Sequence, residues 1–171
     1  RIGVKRGLLE ARVPLQGREL RLMTFHLKSR FTSDERDPGS AERREKEARA
    51  IRDYIREAME RDPAAWILVM GDMNDHADSA AYRRFTQVSG ESLMREIGLA
   101  DRAGMSWTYH YAKQRRYEQI DFAFATPSLI DSSRVAVSGW IVSDPRALRA
   151  SDHRPIVVEL TPRAGEAEDS D

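Results

Sequence analysis

Trp66-Ile67-Leu68-Val69-Met70 is an unbroken apolar run with no polar face. A run this short reads as a strand buried on both sides, so the chain must lay a covering layer over each of its faces. Gly71 stops it, and Asp72, Met73, Asn74 and Asp75 follow at once. Whatever fold forms therefore carries carboxylates and an amide at the end of its most buried element.

The rest of the chain supplies partners for that strand. Leu20 to Leu27 alternates between two faces, with Lys5 to Val13 as an earlier strand and Pro14-Leu15-Gln16-Gly17 as the turn between them. Asp37-Pro38-Gly39-Ser40 is a loop or helix-start signal. From Ala41 to Arg61 the period becomes helical: Ala48, Ile51, Tyr54, Ile55, Ala58 and Met59 share a stripe, and Asp62-Pro63 closes it. Helical patches are predicted at Ala80 to Thr86 and Ser92 to Ile97, the second closed by Gly98. Further strands are predicted at Trp107 to Tyr111, Ile120 to Ala125, Val135 to Val137, Trp140 to Val142 and Ile156 to Leu160. This order argues for a mixed sheet with helices packed outside, in one domain over residues 1–160. Thr161 to Asp171 is acidic and aperiodic and is predicted to be a disordered tail.

Composition excludes several classes. The 171 residues hold no cysteine, which removes disulfides, thiolate metal sites and cysteine nucleophiles and fits either redox compartment. Lys plus Arg and Asp plus Glu are each 28, so the chain is no strongly basic nucleic-acid binder overall, although a local basic groove is compatible with that total. No apolar run approaches the ~20 residues that span a bilayer. Arg1 is not an initiator Met and no signal-peptide stretch follows it, so a cut or processed start is expected.

Four strands are interrupted or ended by ionisable groups. His26 sits among apolar neighbours in Phe25-His26-Leu27; taken alone, such a histidine is more often a satisfied structural residue. Asp72 and Asn74 are two apart, so in extended backbone their side chains point the same way, a pairing that suits a phosphate site as well as a plain turn. The spacing Asp72, Asn74, His76, Asp78 partly follows a calcium loop, but Ala77 and Arg83 stand where that loop needs Gly and Glu. Four histidines are also too few for a calcineurin-like dinuclear site. Asp121, inside Ile120-Asp121-Phe122, is suited to hold a histidine by its ring N–H. Asp152 and His153 in Ser151-Asp152-His153-Arg154-Pro155 serve either different tasks or an irregular segment, with a capping role for Asp152 as the plain alternative.

In that order the four motifs resemble the endonuclease/exonuclease/phosphatase superfamily, the deoxyribonuclease I-like enzymes, over about Arg6 to Leu160. The resemblance implies an α+β fold, a four-layer α/β sandwich of two packed mixed β-sheets with outer helices. It implies that His26 contacts the scissile phosphate, that Asp72 orients or activates the nucleophilic water, and that Asn74 positions water and phosphate. It likewise implies that Asp121 orients His153, that His153 is either general base or stabiliser of the phosphorane charge, and that Asp152 reaches the metal. Relatives carry an upstream strand pair with an Asn and a metal-binding Glu. Nothing before His26 matches these, Glu10 ending a strand and Glu19 lying in a turn, so the N-terminal part of the domain is expected to be missing.

The implied chemistry is in-line attack of water on a phosphoester, with oxygen ligands favouring Mg²⁺ or Mn²⁺ over zinc. Lys28 and Arg30 are placed to meet phosphates, and Lys113, Arg115, Arg116 and Tyr117 form a basic loop near Tyr109 and Tyr111. Such interleaving suits a nucleic-acid backbone, with solvated surface charge as an equal reading. A nuclease-like phosphodiesterase is favoured. A lipid or sugar phosphoesterase of the same class is second, and a catalytically silent binding domain is the alternative of another kind.

Overall fold

In the computed structural model, which describes residues 6–88 and 91–163, the buried run is the middle strand of a five-stranded sheet. The elements in chain order are β1 (Leu8–Leu15), β2 (Arg18–His26), α1 (Ala41–Arg61), β3 (Trp66–Asp72), α2 (Ala80–Thr86), β4 (Gln87–Val88), β5 (Glu91–Ser92) and β6 (Arg95–Glu96). They continue as β7 (Tyr109–Tyr111), β8 (Arg116–Glu118), β9 (Asp121–Ala125), α3 (Pro127–Ile130), β10 (Val135–Ile141), α4 (Pro145–Ala150) and β11 (Ile156–Pro162). The sheet order is β1-β2-β3-β9-β6, with β2 and β3 parallel and every other neighbour antiparallel. A parallel pair needs a long crossover, and α1 supplies it. The fold is α+β, with a mixed sheet and helices.

Strand alternation decides which side chains meet which layer. Ile67 and Val69 join Met23, Phe25, Phe122 and Phe124 in a core under Ile51 and Ile55 of α1 and Phe85 of α2. Trp66 and Leu68 face the other way, joining Leu20, Ala123 and Ala125 against Val135 and Ile141 of the antiparallel β10–β11 pair. Glu10 pairs in register with Met23, so it lies on the helix-covered face. There its carboxylate accepts both Arg21 Nε (2.8 Å) and a second guanidinium nitrogen (3.0 Å), and the Tyr54 hydroxyl at 2.6 Å. This ties the two N-terminal strands to α1.

Several boundaries differ from those expected. β3 does not stop at Gly71 but runs through it to Asp72. The glycine is needed for close approach, since a Cβ there would lie 2.0 Å from the Phe25 carbonyl oxygen. Ser92 to Ile97 is not helical: Arg95 and Glu96 pair with Ala125 and Phe124 at the sheet edge, and sheet pairing overrides the local period. The two short strands expected around Gly139 are one strand, β10, because a Cβ at Gly139 would meet Leu99 Cδ2 at 2.7 Å where the preceding segment crosses. Glu19 lies in β2 rather than in a turn. The expected tail also begins too early: Thr161 and Pro162 belong to β11, paired with Ala136 and Val135, while 164–171 lies outside the described residues. No described helix is long and apolar enough to cross a membrane.

The Glu10 anchor makes a pH-dependent contribution. Arg21's hydrogen bonds hold the Glu10 carboxyl down at about 2, against the opposing cost of burial. A carboxyl depressed on folding stabilises above its unfolded value and loses that stability as pH falls through the folded one. Glu10→Gln is therefore expected to lower unfolding free energy at pH 7 by on the order of 2 kcal/mol. In urea titrations the gap to the native protein should narrow from about pH 4.5 down towards 2. An equal gap at pH 7 and pH 3 would show that the charge is not its source.

Candidate active site

Register brings the first three site residues together. His26 is opposite Asp72 across the parallel pair, and Asp72 is opposite Asp121 across the antiparallel pair. All three share the parity of Trp66, Leu68 and Ala123, so they emerge on the face away from α1, where the strands run out of apolar cover. Asp72 Oδ2 lies 3.1 Å from His26 Nε2, and the Arg6 guanidinium also contacts that nitrogen. Burial, then Arg6, lowers the His26 pKa and favours the neutral ring.

Asn74 follows in the left-handed region at φ 55°, a conformation asparagine tolerates better than most residues. This turn lets the Asn74 N–H donate to Asp72 Oδ1 at 2.7 Å while its side-chain amide donates to Asp72 Oδ2 (2.9 Å) and the Leu27 carbonyl (3.1 Å). Its own Oδ1 is left without a partner among the described residues.

The last motif arrives from another layer. The Ser151–Arg154 segment pairs with β7: His110 N–H donates to the Asp152 carbonyl (2.9 Å), Arg154 N–H to the Thr108 carbonyl (2.7 Å), and Tyr109 bridges His153. His153 Nδ1 then lies 2.9 Å from Asp121 Oδ2, which fixes the proton on Nδ1 and leaves Nε2 to face the cleft. Asp121's hydrogen bond raises the His153 pKa. Asp72 has the reverse environment: burial, then the charge of Asp121, pushes it up to about 6. Two carboxylates facing each other in a half-buried site are a setting that a hard divalent cation would relieve.

His26, Asp72, Asn74, Asp152 and His153 all line one cleft of about 490 Å³, and Asp121 stands behind His153. The donor atoms of Asp72, Asp121 and His153 lie within 4.8 Å of one another. Asp152 faces the same cleft but stands outside that cluster. Arg30 lines the cleft, its guanidinium paired with Glu118 and 3.3 Å from His76. Lys28 does not line it: its ammonium folds back onto the carbonyls of Ser29 (2.9 Å) and Phe31 (2.7 Å). Local backbone acceptors outcompete the cleft for this flexible cation.

Four positioning residues escaped the sequence reading. Arg44, 3% exposed, donates from Nε to Asp75 at 2.9 Å, and Glu47, 1% exposed, accepts the Lys28 N–H at 2.8 Å. Together they fasten the segments after His26 and Asn74 to α1. Arg154 stacks on Trp107, 4.2 Å to the ring centre, and donates to Asp101 at 2.6 Å, anchoring the loop that carries His153. Thr108, fully buried, accepts the N–H groups of both Ile120 and Asp121 at 3.1 Å while its carbonyl holds Arg154. It couples the two halves of the Asp121–His153 pair. Buried charges within a helix rich in Arg and Glu were the signal missed for Arg44 and Glu47.

Residues 2–153 match the Endonuclease/Exonuclease/phosphatase family. No curated protein matches the chain. Among solved structures, the endonuclease/exonuclease/phosphatase from Bacteroides vulgatus is 26% identical with a TM-score of 0.56, over 86% of this chain and 51% of its own. A double mutant of beta toxin from Staphylococcus aureus, solved with bound magnesium ions, is 14% identical with a TM-score of 0.66, over 90% and 57%. Sphingomyelinase C from Streptomyces griseocarneus is 14% identical with a TM-score of 0.64, over 91% and 57%. The last two likenesses show the fold alone, and the chain spans 51% to 57% of the length of these three solved chains.

Two measurements check the electrostatics and the framework. In cation-free protein, carbon-13 NMR should show Asp72 titrating at about 6. Asp121→Asn should lower that midpoint but leave it above the ordinary carboxylate value, since burial remains, and should lower His153 as well. An unmoved Asp72 midpoint would remove like-charge repulsion as a cause. Thr108→Val keeps shape but leaves two buried N–H donors unpaired, and should cost ~2 kcal/mol in urea unfolding. It should also bring the His153 ring back towards its ordinary pKa. Loss of stability without that shift would make Thr108 merely structural.

Proposed function

We propose that this chain, which belongs to the Endonuclease/Exonuclease/phosphatase family, is the catalytic portion of a divalent-metal-dependent, nuclease-like phosphodiester hydrolase. The observation that carries the reading is the convergence of His26, Asp72, Asn74, Asp152 and the Asp121-held His153 on one cleft rimmed by Arg6, Arg30 and Arg116. A carboxylate, a neutral histidine and an amide beside fixed cations are suited to a phosphoryl group and to the water that attacks it.

In this reading Asp72 orients the attacking water and accepts its proton. Asn74, turned by its left-handed backbone, offers its free Oδ1 to that water. His26 donates to a non-bridging phosphoryl oxygen. The ring of His153, kept in one tautomer by Asp121, serves the phosphate from Nε2, as proton carrier or as stabiliser of the charge that builds on the phosphorane. Asp72 and Asp121, whose donor atoms cluster, would hold Mg²⁺ with Asp152 facing the same cleft, and when bound it would supply Lewis-acid neutralisation of the phosphoryl charge. Mn²⁺ suits the same donors. Nucleic acid is favoured as substrate because arginines and aromatic rings share the cleft lining.

The test is hydrolysis of plasmid DNA and of bis(4-nitrophenyl) phosphate by the full-length protein, with Mg²⁺ and with chelator. His153→Ala is expected to lower kcat about 10²- to 10⁴-fold, and Asp72→Asn about 10²- to 10³-fold. Equal rates in native protein and variants would end the mechanism. Turnover of sphingomyelin or a sugar phosphate in place of DNA would keep the chemistry and replace the substrate.

A further inference from the structure

The cleft has one wall that the hydrolytic mechanism does not use. From His153 a row of aromatic rings leads outward to the rim. Tyr109 lies 4.9 Å from the His153 ring centre, Tyr111 lies 6.4 Å beyond Tyr109 and within 15° of parallel to it, and Phe31 lies 6.3 Å beyond Tyr111. All four rings line the cleft. The row comes from two unrelated segments. Tyr109 and Tyr111 share one face of β7 by strand alternation, whereas Phe31 comes from the loop after His26.

Phe31 is 71% exposed, the most exposed large apolar side chain among the described residues. Its neighbours Ser29 and Thr32 are polar and Arg30 is charged, and its one aromatic contact among the described residues is the tilted Tyr111 ring. A phenyl ring so exposed on the wall of a charged cleft contributes little to the core. It offers a stacking surface to something that brings its own ring.

The charges beside the row decide what that is. Arg30 and Arg116 line the cleft with it, both paired with Glu118, and the turn joining β7 to β8 carries the exposed Lys113 and Arg115. A lipid surface would be met by an apolar hairpin tip, and this tip is Ala112-Lys113-Gln114-Arg115. Cations interleaved with aromatic rings that open onto a cleft match a polymer that alternates phosphates with planar bases. In a duplex the base faces are already stacked, so the free rings suit unpaired bases.

We infer that Phe31 and Tyr111 form a base-stacking platform that seats an unpaired nucleobase beside the scissile phosphodiester, making single-stranded nucleic acid the preferred substrate. This rests on the nuclease-like reading above. It requires that the bases, and not only the phosphates, contribute to binding. Because every base has a π face, the platform is tolerant of sequence.

The experiment compares three fluorescein-labelled probes of equal length by anisotropy, using the full-length protein with chelator present to prevent turnover. The probes are oligo(dT), the same backbone carrying abasic sites, and a blunt duplex. Native protein should bind oligo(dT) more tightly than either other probe. Phe31→Ala and Tyr111→Ala should each weaken oligo(dT) binding about 5- to 100-fold and leave abasic-probe affinity within about twofold, while Phe31→Trp should restore it. Equal weakening on both single-stranded probes, or none on either, overturns the platform while leaving a phosphodiesterase in place. Binding to none of the three probes, with bis(4-nitrophenyl) phosphate still hydrolysed, overturns both the platform and the choice of nucleic acid as substrate.

Discussion

The lateral alignment of His26, Asp72 and Asp121 across three neighbouring strands is the constraint on which the site depends. Strand pairing fixes the separation of residues in register, and a slip by one residue would turn each side chain to the opposite face. Gly71 protects that register. It packs so closely on the Phe25 backbone that no side chain fits between the strands one step before the site. Apolar contacts on both faces then hold β3 in place, so that the polar row begins where the apolar cover ends.

Around this row the chain builds two kinds of support. On the helix side, buried Arg44 and Glu47 fasten the segments following His26 and Asn74 to α1. Their charges are tolerable at almost full burial because each meets carboxylate, guanidinium or backbone partners. On the other side, Thr108 and Arg154 hold the loop that delivers His153. The Asp121–His153 contact thus joins two layers, and its geometry is set by residues that never touch a substrate.

Much of this was legible because the strongest patterns were local. The helix Ala41–Arg61 was read to the residue, from a stripe bounded by a start signal and Asp62-Pro63. The site motifs stood out because ionisable groups at the ends of buried strands need partners, and the order of the motifs carried the family resemblance. What failed was non-local. Ser92 to Ile97 looked helical until the β9 edge claimed Arg95 and Glu96. Gly71 looked like a terminator because the Phe25 backbone against it lies far away in sequence. Lys28 was read by its proximity to His26, while carbonyls one and three residues ahead hold its ammonium. The role of Thr108 was not legible, since it lies in three hydrogen bonds that exist only once β7, β9 and the Ser151–Arg154 segment have met.

The parallel pairing of β2 with β3, closed by β9, also dictates when the site can exist. During synthesis His26 and Asp72 leave the ribosome well before Asp121, and His153 leaves last. Contacts so distant along the chain must close a long loop before they are rewarded, and so form late. The nascent protein therefore holds an unpaired β3 edge until β9 emerges, and a site without its Asp121-held histidine until His153 has been made.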